Sequence, residues 1–445
     1  MKNLFKYAAS YWKAMIAIVL ILFIQAYCDL SLPAYTSDIV NVGIQQGGIE
    51  DEIPEQIAQE EMDKLLLFVS EEDGQKVMDA YEEDTTSYEK DAYVLKESVS
   101  GDEEQMKELQ DILKLPMMMT TGFESGSDMT KEVESQLKSS LPDGTVSEDT
   151  TIFDIMKMLP GEQRTAMVEK MGEQMDDLPD TILDQAAVSY CKSVYQDLGM
   201  DMEKIQTGYL AKTGGMMIAL AFLGMAASVL VGFLASRVGA SAGRDLRGRV
   251  FHKVVGFSNH EFNQFSTASL ITRSTNDIQQ IQMLIVMLLR MVLYAPILAI
   301  GGVFQVMKTN VSMSWIIGLA VIIIACMVLL LFVVAMPKFK MLQKLVDKLN
   351  LVTREILTGL SVIRAFSTEK HEEKRFDDAN VELTKTNLFV NRAMTFMMPA
   401  MMLVMNGVSV LIVWTGAHGI SDGQMQVGDM MAFIQYTMQI IMGFL

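Results

Sequence analysis

The chain has 445 residues, half of them hydrophobic and a fifth charged, with a formal net charge of −19. The charge is uneven: residues 50–210 hold 40 Asp and Glu against 13 Lys and Arg, while the remainder is net basic. Such acidity excludes nucleic acid as the main partner, because a binder neutralises phosphates with Lys and Arg. Three cysteines, Cys28, Cys191 and Cys326, form no disulfide framework, and only Cys191 lies in the acidic block.

In chain order, the first element is the apolar stretch from Ala14 to Cys28, continued past Asp29 to Ser37 and preceded by Lys2, Lys6 and Lys13. It superficially resembles a signal peptide, but no small-x-small cleavage site follows, so it reads as a retained transmembrane helix. Further uncharged stretches run Thr213–Leu234, Met291–Met307, Thr309–Pro337, Ala393–Ser421 and Met430–Leu445. A helix needs about 20 apolar residues to cross about 30 Å of hydrocarbon. The pattern predicts an all-α, multi-pass membrane protein with six spans near 14–34, 213–235, 287–307, 313–336, 395–415 and 428–445. A barrel is excluded, because its strands would alternate polar and apolar residues.

Three segments follow: 1–48, the first span and its outer end; 49–210, an acidic insert; and 211–445, the remaining spans. Lys and Arg favour the cytoplasmic side. Basic residues at the N-terminus, across 236–290 (Arg237, Arg244, Arg247, Arg249, Lys253, Arg273) and across 338–392 place these regions in the cytoplasm, with Arg290 as an anchor at the inner face. Residues 50–210 and the turns near 308–312 and 416–427 then lie outside.

The insert has few β-branched runs, and Gln59–Leu67 and Ile152–Met158 carry apolar residues at helical spacing, so an α-rich domain is expected. Pro116, Gly122, Pro142, Gly144, Pro160 and Gly161 mark turns. The insert is either a solvated decoration or a lid or partner-binding module. The 38 methionines cluster at Met397-Met398 and Met401-Met402 in the fifth span. They either face lipid and pack, or give an adaptable lining for varied apolar ligands, with Met397 and Met401 as candidate cavity residues. Asp29, a charge within a span, is a third candidate for a substrate cavity or else reaches water at the outer end.

The two cytoplasmic segments each fit a helical hairpin reaching about 30 Å beyond the membrane at 1.5 Å per residue. Joining helices needs only a few residues, so matched projections suggest something docked at their tips. The chain carries no GxxxxGK[ST] phosphate loop and no GxGxxG after a strand, and its four histidines are too scattered for a metal cluster. No catalytic residue or metal site is assigned.

The tips carry motifs. Residues 256–277 contain Glu261-Phe262, Phe265, Leu270, Arg273 and Asp277; residues 354–380 contain Arg354-Glu355, Gly359, Val362-Ile363-Arg364, Phe366, Arg375-Phe376 and Ala379-Asn380. Leu32-Pro33 with Asp38-Ile39-Val40, and Val427-Gly428-Asp429 with Ala432-Phe433, flank the first and last spans. With these the chain resembles the transmembrane half of ATP-binding-cassette exporters of the six-helix, domain-swapped type, most closely bacterial heterodimeric members. The resemblance covers residues 1–48 and about 211–445; the acidic insert departs from it.

The resemblance implies a first coupling helix near Ser258, His260, Glu261, Phe262 and Phe265, and a second from Glu355 through Gly359, Val362, Ile363 and Arg364 to Phe366. It implies nucleotide-binding domains as partners, with ATP and Mg bound there and not by this chain, and a second transmembrane subunit. It also implies a bacterial plasma-membrane location and an amphipathic cargo: a drug, a lipid or a peptide. The phenylalanines either anchor these contacts or pack within their own hairpins. The chain stops at Leu445 inside an apolar run, where the family continues into the cytosol and an ATPase domain, so a fragment of a longer protein is expected. The competing reading is a membrane sensor whose acidic outer domain binds a ligand.

Overall fold

The structure, a computed structural model, describes residues 11–84, 91–125, 151–158, 164–168, 170, 172, 179–262, 264–309 and 313–443. The chain divides into two units, Met1–Val286 with Gly416–Phe433, and Met287–Thr415 with Ile434–Leu445.

In the first unit, helix α1 (Trp12–Asp38) continues through a π-helical stretch, Ile39–Gln45, giving an apolar helix of 34 residues. It ends where Gly47 and Gly48 take φ of 69° and 88°. A Cβ on Gly48 would lie 2.7 Å from the Gln206 backbone, so glycine is required there by both conformation and space.

The insert follows. It contains β1 (Gln56–Ala58), α2 (Gln59–Leu66), α3 (Glu71–Ala80), β2 (Tyr81–Asp84), β3 (Ala92–Leu95), α4 (Glu97–Ser100), α5 (Glu103–Ser125), α6 (Ile152–Met158) and α7 (Asp180–Asp197). The strands form an antiparallel sheet in the order β1-β3-β2, with Ile57 opposite Tyr93 and Tyr81 opposite Leu95. Ile53, Ile57, Met62, Leu65, Val77, Leu113, Met117, Tyr190, Cys191 and Val194 form its core. Buried phenols are satisfied locally: Tyr81 donates to the Pro54 carbonyl at 2.8 Å, and Tyr195 accepts from the Glu55 amide at 2.8 Å. Lys114 bridges Glu52 at 2.7 Å and Asp184 at 2.6 Å. Burial alone would lower its pKa, but hydrogen bonds to Asp184 and Glu52 outweigh that and push it up to about 12.

Two expectations about the insert change. The sheet is an addition to the α-rich reading. Pro116 and Gly122 do not mark turns; both lie inside α5. Proline removes one helix hydrogen bond, yet α5 continues because Leu109, Leu113, Pro116, Met117 and Thr120 make one buried stripe against the core. Pro142, Gly144, Pro160 and Gly161 lie outside the described residues.

Helix α8 (Met202–Val255) is 54 residues long, and its start is capped by Asp201, which accepts from the Lys204 amide at 3.1 Å. Only Leu198–Asp201 separate it from α7, and its Met202 and Ile205 pack on the insert core. It then runs along α1. After it come α9 (Asn259–Phe262), α10 (Thr267–Thr272), a π-helical turn (Arg273–Asp277) and α11 (Ile278–Met287).

The second unit holds α12 (Tyr294–Thr309), α13 (Ser314–Thr358), α14 (Leu360–Ala365), most of α15 (Glu369–Ser421) and the end of α16 (Val427–Gly443). Ile324, Met401 and Ile441 are buried together there. Five helices of the described residues are long and apolar enough to cross a membrane: Trp12–Gln45, Met202–Val255, Thr267–Met307, Ser314–Thr358 and Glu369–Ser421. Helix α16, 17 residues and apolar, occupies the place of the sixth expected span.

Candidate functional site

At the first tip, α8 stops at Val255 and a capping box starts α9. The Ser258 hydroxyl accepts from the Glu261 amide at 3.3 Å, while the Glu261 carboxylate accepts from the Ser258 amide and hydroxyl, both at 2.9 Å. These bonds, the one from the backbone first, hold the Glu261 carboxyl below its usual range. Phe257 and Phe265 stack with centroids 6.0 Å apart, and the Arg273 guanidinium lies over Phe265 at 5.4 Å. Phe265 thus packs within its own hairpin. Phe262 remains 41% exposed, no residue of α9 is buried, and the ring of His260 lies 3.5 Å from the Gln264 amide.

At the second tip the short helix is α14, Leu360–Ala365. Glu355, expected in the coupling helix, belongs to the long helix α13 and forms an ion pair with Arg375 at the start of α15. That bond, with Lys348–Glu382 at 2.8 Å, ties the two legs of the hairpin together. Gly359 makes the joint: its amide donates to the Glu355 carbonyl at 2.9 Å, and its carbonyl accepts from Val362 and Ile363, both at 3.0 Å. The turn out of α14 passes through Ser367 at φ 51°. Val362 is 57% and Phe366 75% exposed, while Ile363 is partly covered and Arg364 exposed. Single exposed apolar side chains are ordinary, whereas several grouped in one patch mark an interaction site.

Of the expected cavity residues, Asp29 belongs to the first unit and Met397 and Met401 to the second. Asp29 is half-buried on α1 and faces α8, where a Cβ on Gly224 would lie 3.6 Å from its carboxylate. Met401 is only 2% exposed, enclosed between Ile324 and Ile441, with Met397 packed against that cluster. Among the described residues no group of three His, Cys, Asp or Glu could hold a metal ion.

One cluster was not anticipated. At the C-terminal end of the first apolar helix, Ser37 donates to Asp429 at 2.8 Å, Asn41 donates to the same carboxylate oxygen at 3.2 Å, and the Gly428 amide donates to the Asn41 side-chain carbonyl at 2.7 Å. Asp429 also accepts from the Gln426 amide at 3.2 Å, which caps α16. Ser37 and Asn41 are buried. The available signal was two polar residues at i, i+4 spacing on an apolar helix, and the Gly428-Asp429 pair; nothing local joins them across nearly 390 positions.

The family model for the ABC transporter transmembrane region matches residues 181–444. An uncharacterized ABC transporter ATP-binding protein of Mycobacterium bovis is 34% identical over 242 residues, 54% of this chain and 42% of that protein. One of Bacillus subtilis is 36% identical over 227 residues, 51% of this chain and 40% of its own length. A putative export ATP-binding/permease protein of Rickettsia felis is 25% identical over 226 residues, covering 49% and 38%. The chain spans about two fifths of the length of these relatives. The match takes in both tips and every span after the first, and it favours a transporter over a sensor. A chain with these apolar helices and this match is a multi-pass membrane protein, and it belongs to the ABC transporter transmembrane region family.

Proposed function

We propose that the chain is the permease part of an ATP-driven exporter in a bacterial plasma membrane. Its N-terminus and both helical tips face the cytosol, and residues 50–210 lie outside. The two tips dock on nucleotide-binding domains, which bind ATP and Mg. A second transmembrane subunit, in a heterodimer, completes the pathway for an amphipathic drug, lipid or peptide. Nucleotide-driven movement of the tips shifts the permease between inward-open and outward-open arrangements, by differences in ligand affinity between the two.

The observation that carries this reading is the second tip. Val362 stands uncovered on the six-residue helix α14 and Phe366 uncovered at its C-terminal end, beside the Gly359 joint and the Glu355–Arg375 pair. An aromatic anchor of this kind supplies much of the energy of an interface. Asp29, and Met397 with Met401 once their cluster opens, are the candidate cargo contacts.

The test uses the full-length protein with its ATPase domains in proteoliposomes. Phe366→Ala should leave basal ATP hydrolysis in place and lower transport per ATP by about tenfold, the scale of a lost interface anchor. A cysteine placed by Phe366→Cys should be shielded from a soluble maleimide in the assembled transporter. Full labelling of that cysteine in an active complex would remove the docking role.

A further inference from the structure

Helix α7 of the insert, the end of the first apolar helix and the turn before α16 enclose a half-open cleft of about 450 Å³. Its walls come from three distant stretches: Gln45 and Gln46, residues 182–192, and residues 420–427. Pockets of this size accommodate small molecules. The turn is seated closely on the insert: Gly423, at φ 66°, leaves no room for a Cβ, which would meet Ile182 at 2.6 Å.

The chemistry of the walls is unlike that of the insert around them. Four carboxamides (Gln45, Gln46, Gln185 and Gln426), two hydroxyls (Ser189 and Ser421) and Lys192 line the cleft, with no Asp or Glu and no aromatic ring. Yet residues 50–210 carry 40 carboxylates. Ile182, Val188 and Met425 supply apolar surface, of which Val188 and Met425 are buried. Among the described residues, the side chains of Gln45, Gln185, Ser189 and Lys192 make no hydrogen bond or ion pair with the protein. They are open for a ligand.

We propose that this cleft binds a short peptide with a free carboxylate end. A carboxamide carries a donor and an acceptor together, the complement of a peptide group, which also carries one of each. Four of them and two hydroxyls suit several successive peptide groups. The apolar surface takes small side chains, and Lys192 supplies the cation for the terminal carboxylate. The lack of carboxylates disfavours amines and metal cations, and the lack of aromatic rings removes the stacking surface that a sugar would use. Because the site joins the insert to the turn between the last two spans, a bound peptide contacts both. The assignment does not depend on the direction of transport or on the cytosolic tips.

The experiment measures binding of N-acetyl-penta-alanine to the full-length protein in lipid nanodiscs by calorimetry. Saturable binding is expected. The same peptide with an amidated C-terminus should bind about tenfold more weakly, the scale of one charge-assisted hydrogen bond. Lys192→Gln should lower affinity for the acid by a similar factor and barely change that for the amide. Lys192→Arg should restore the preference for the acid. Gln185→Leu should weaken both peptides. These exposed positions should leave the melting temperature unchanged, which separates lost binding from lost folding. No saturable binding at millimolar peptide overturns the proposal, as does equal binding of acid and amide. Trehalose competing for the same site would replace the peptide with a polyol.

Discussion

Asp429 shows what a single residue does where α16 starts. Its carboxylate closes the first turn of α16 through the Gln426 amide and receives Ser37 and Asn41 from α1. Gly428 permits this approach: a Cβ there would lie 2.5 Å from the Ser37 carbonyl and 2.5 Å from the Asn41 side chain. Backbone cannot retreat as a flexible side chain can, so Gly428→Ala should force the helices apart and break the Gly428–Asn41 bond. The expected cost is about 2–4 kcal/mol, combining overpacking with a lost buried hydrogen bond. Thermal unfolding of the purified protein in detergent would show a clear fall in midpoint. Gly407→Ala is the control, since nothing lies within 4 Å of a Cβ there; it should be neutral or slightly stabilising through helix propensity. Equal effects of the two substitutions would mean that the close approach does not constrain the fold.

The elements differ in how much of them can be read from sequence. The long helices are legible, because uncharged stretches such as Thr309–Pro337 have only one way to satisfy their backbone in lipid. The tips are legible from motif residues, although the boundary of the second moves: Glu355 lies in α13 because Gly359 is where the helix breaks. The sheet of the insert is not legible. Its strands are three or four residues long, and one reads Tyr81-Glu82-Glu83-Asp84, a sequence with no alternation to detect. The pairing depends instead on distant partners such as Tyr93 and Leu95.

The two tips also differ mechanically, and that difference predicts different responses. The first is held by a capping box, the second by a joint at Gly359. Gly359→Pro deletes the amide that bonds Glu355 and crowds a carbonyl already only 3.2 Å from a Cβ at that site. A helix-breaking proline costs about 3 kcal/mol, so α14 should lose its orientation. Cargo-stimulated ATP hydrolysis should drop to the basal rate, with the melting temperature nearly kept because the hairpin legs remain paired. Unchanged stimulation would count against the second tip as the transmission element. Ser258→Ala should act more mildly. Its effect should depend on pH: Glu261 has a depressed folded pKa, so its capping contribution is present above the ordinary carboxylate value and disappears as the pH falls through the folded one. Stimulation in the parent should therefore decline on acidification below the ordinary carboxylate range, and the Ser258→Ala variant should show less of that decline.

At the scale of the whole molecule, the insert is continuous with a helix of the membrane region. Helix α8 starts in the insert core, with Met202 and Ile205 packed against it, and runs 54 residues without a break to the first tip. A long helix of this kind transmits displacement along its axis, so a movement at the Ser258 tip reaches the insert unless the junction yields. That junction can be tested through Cys191, which is fully buried in the insert core, its thiol pushed well above the usual range by burial. Thiolate is the reactive form, so Cys191 should resist maleimide in the native protein. Ile205→Asp places a charge against the apolar core and removes a part of the roughly 1.5–3 kcal/mol that complete burial of such a side chain supplies, Ile205 being half-buried. The core should then open more often, and labelling of Cys191 should accelerate by about tenfold or more, as local opening follows the lost free energy. Cys28→Ala and Cys326→Ala in the background leave Cys191 as the one thiol within these 445 residues, and mapping the label to the peptide that holds it reads that position. A junction that matters only to the insert would leave cargo-stimulated ATP hydrolysis untouched in this variant; one that carries movement from the tip would lower it. Unchanged labelling would show instead that the insert core holds together without the first turns of α8.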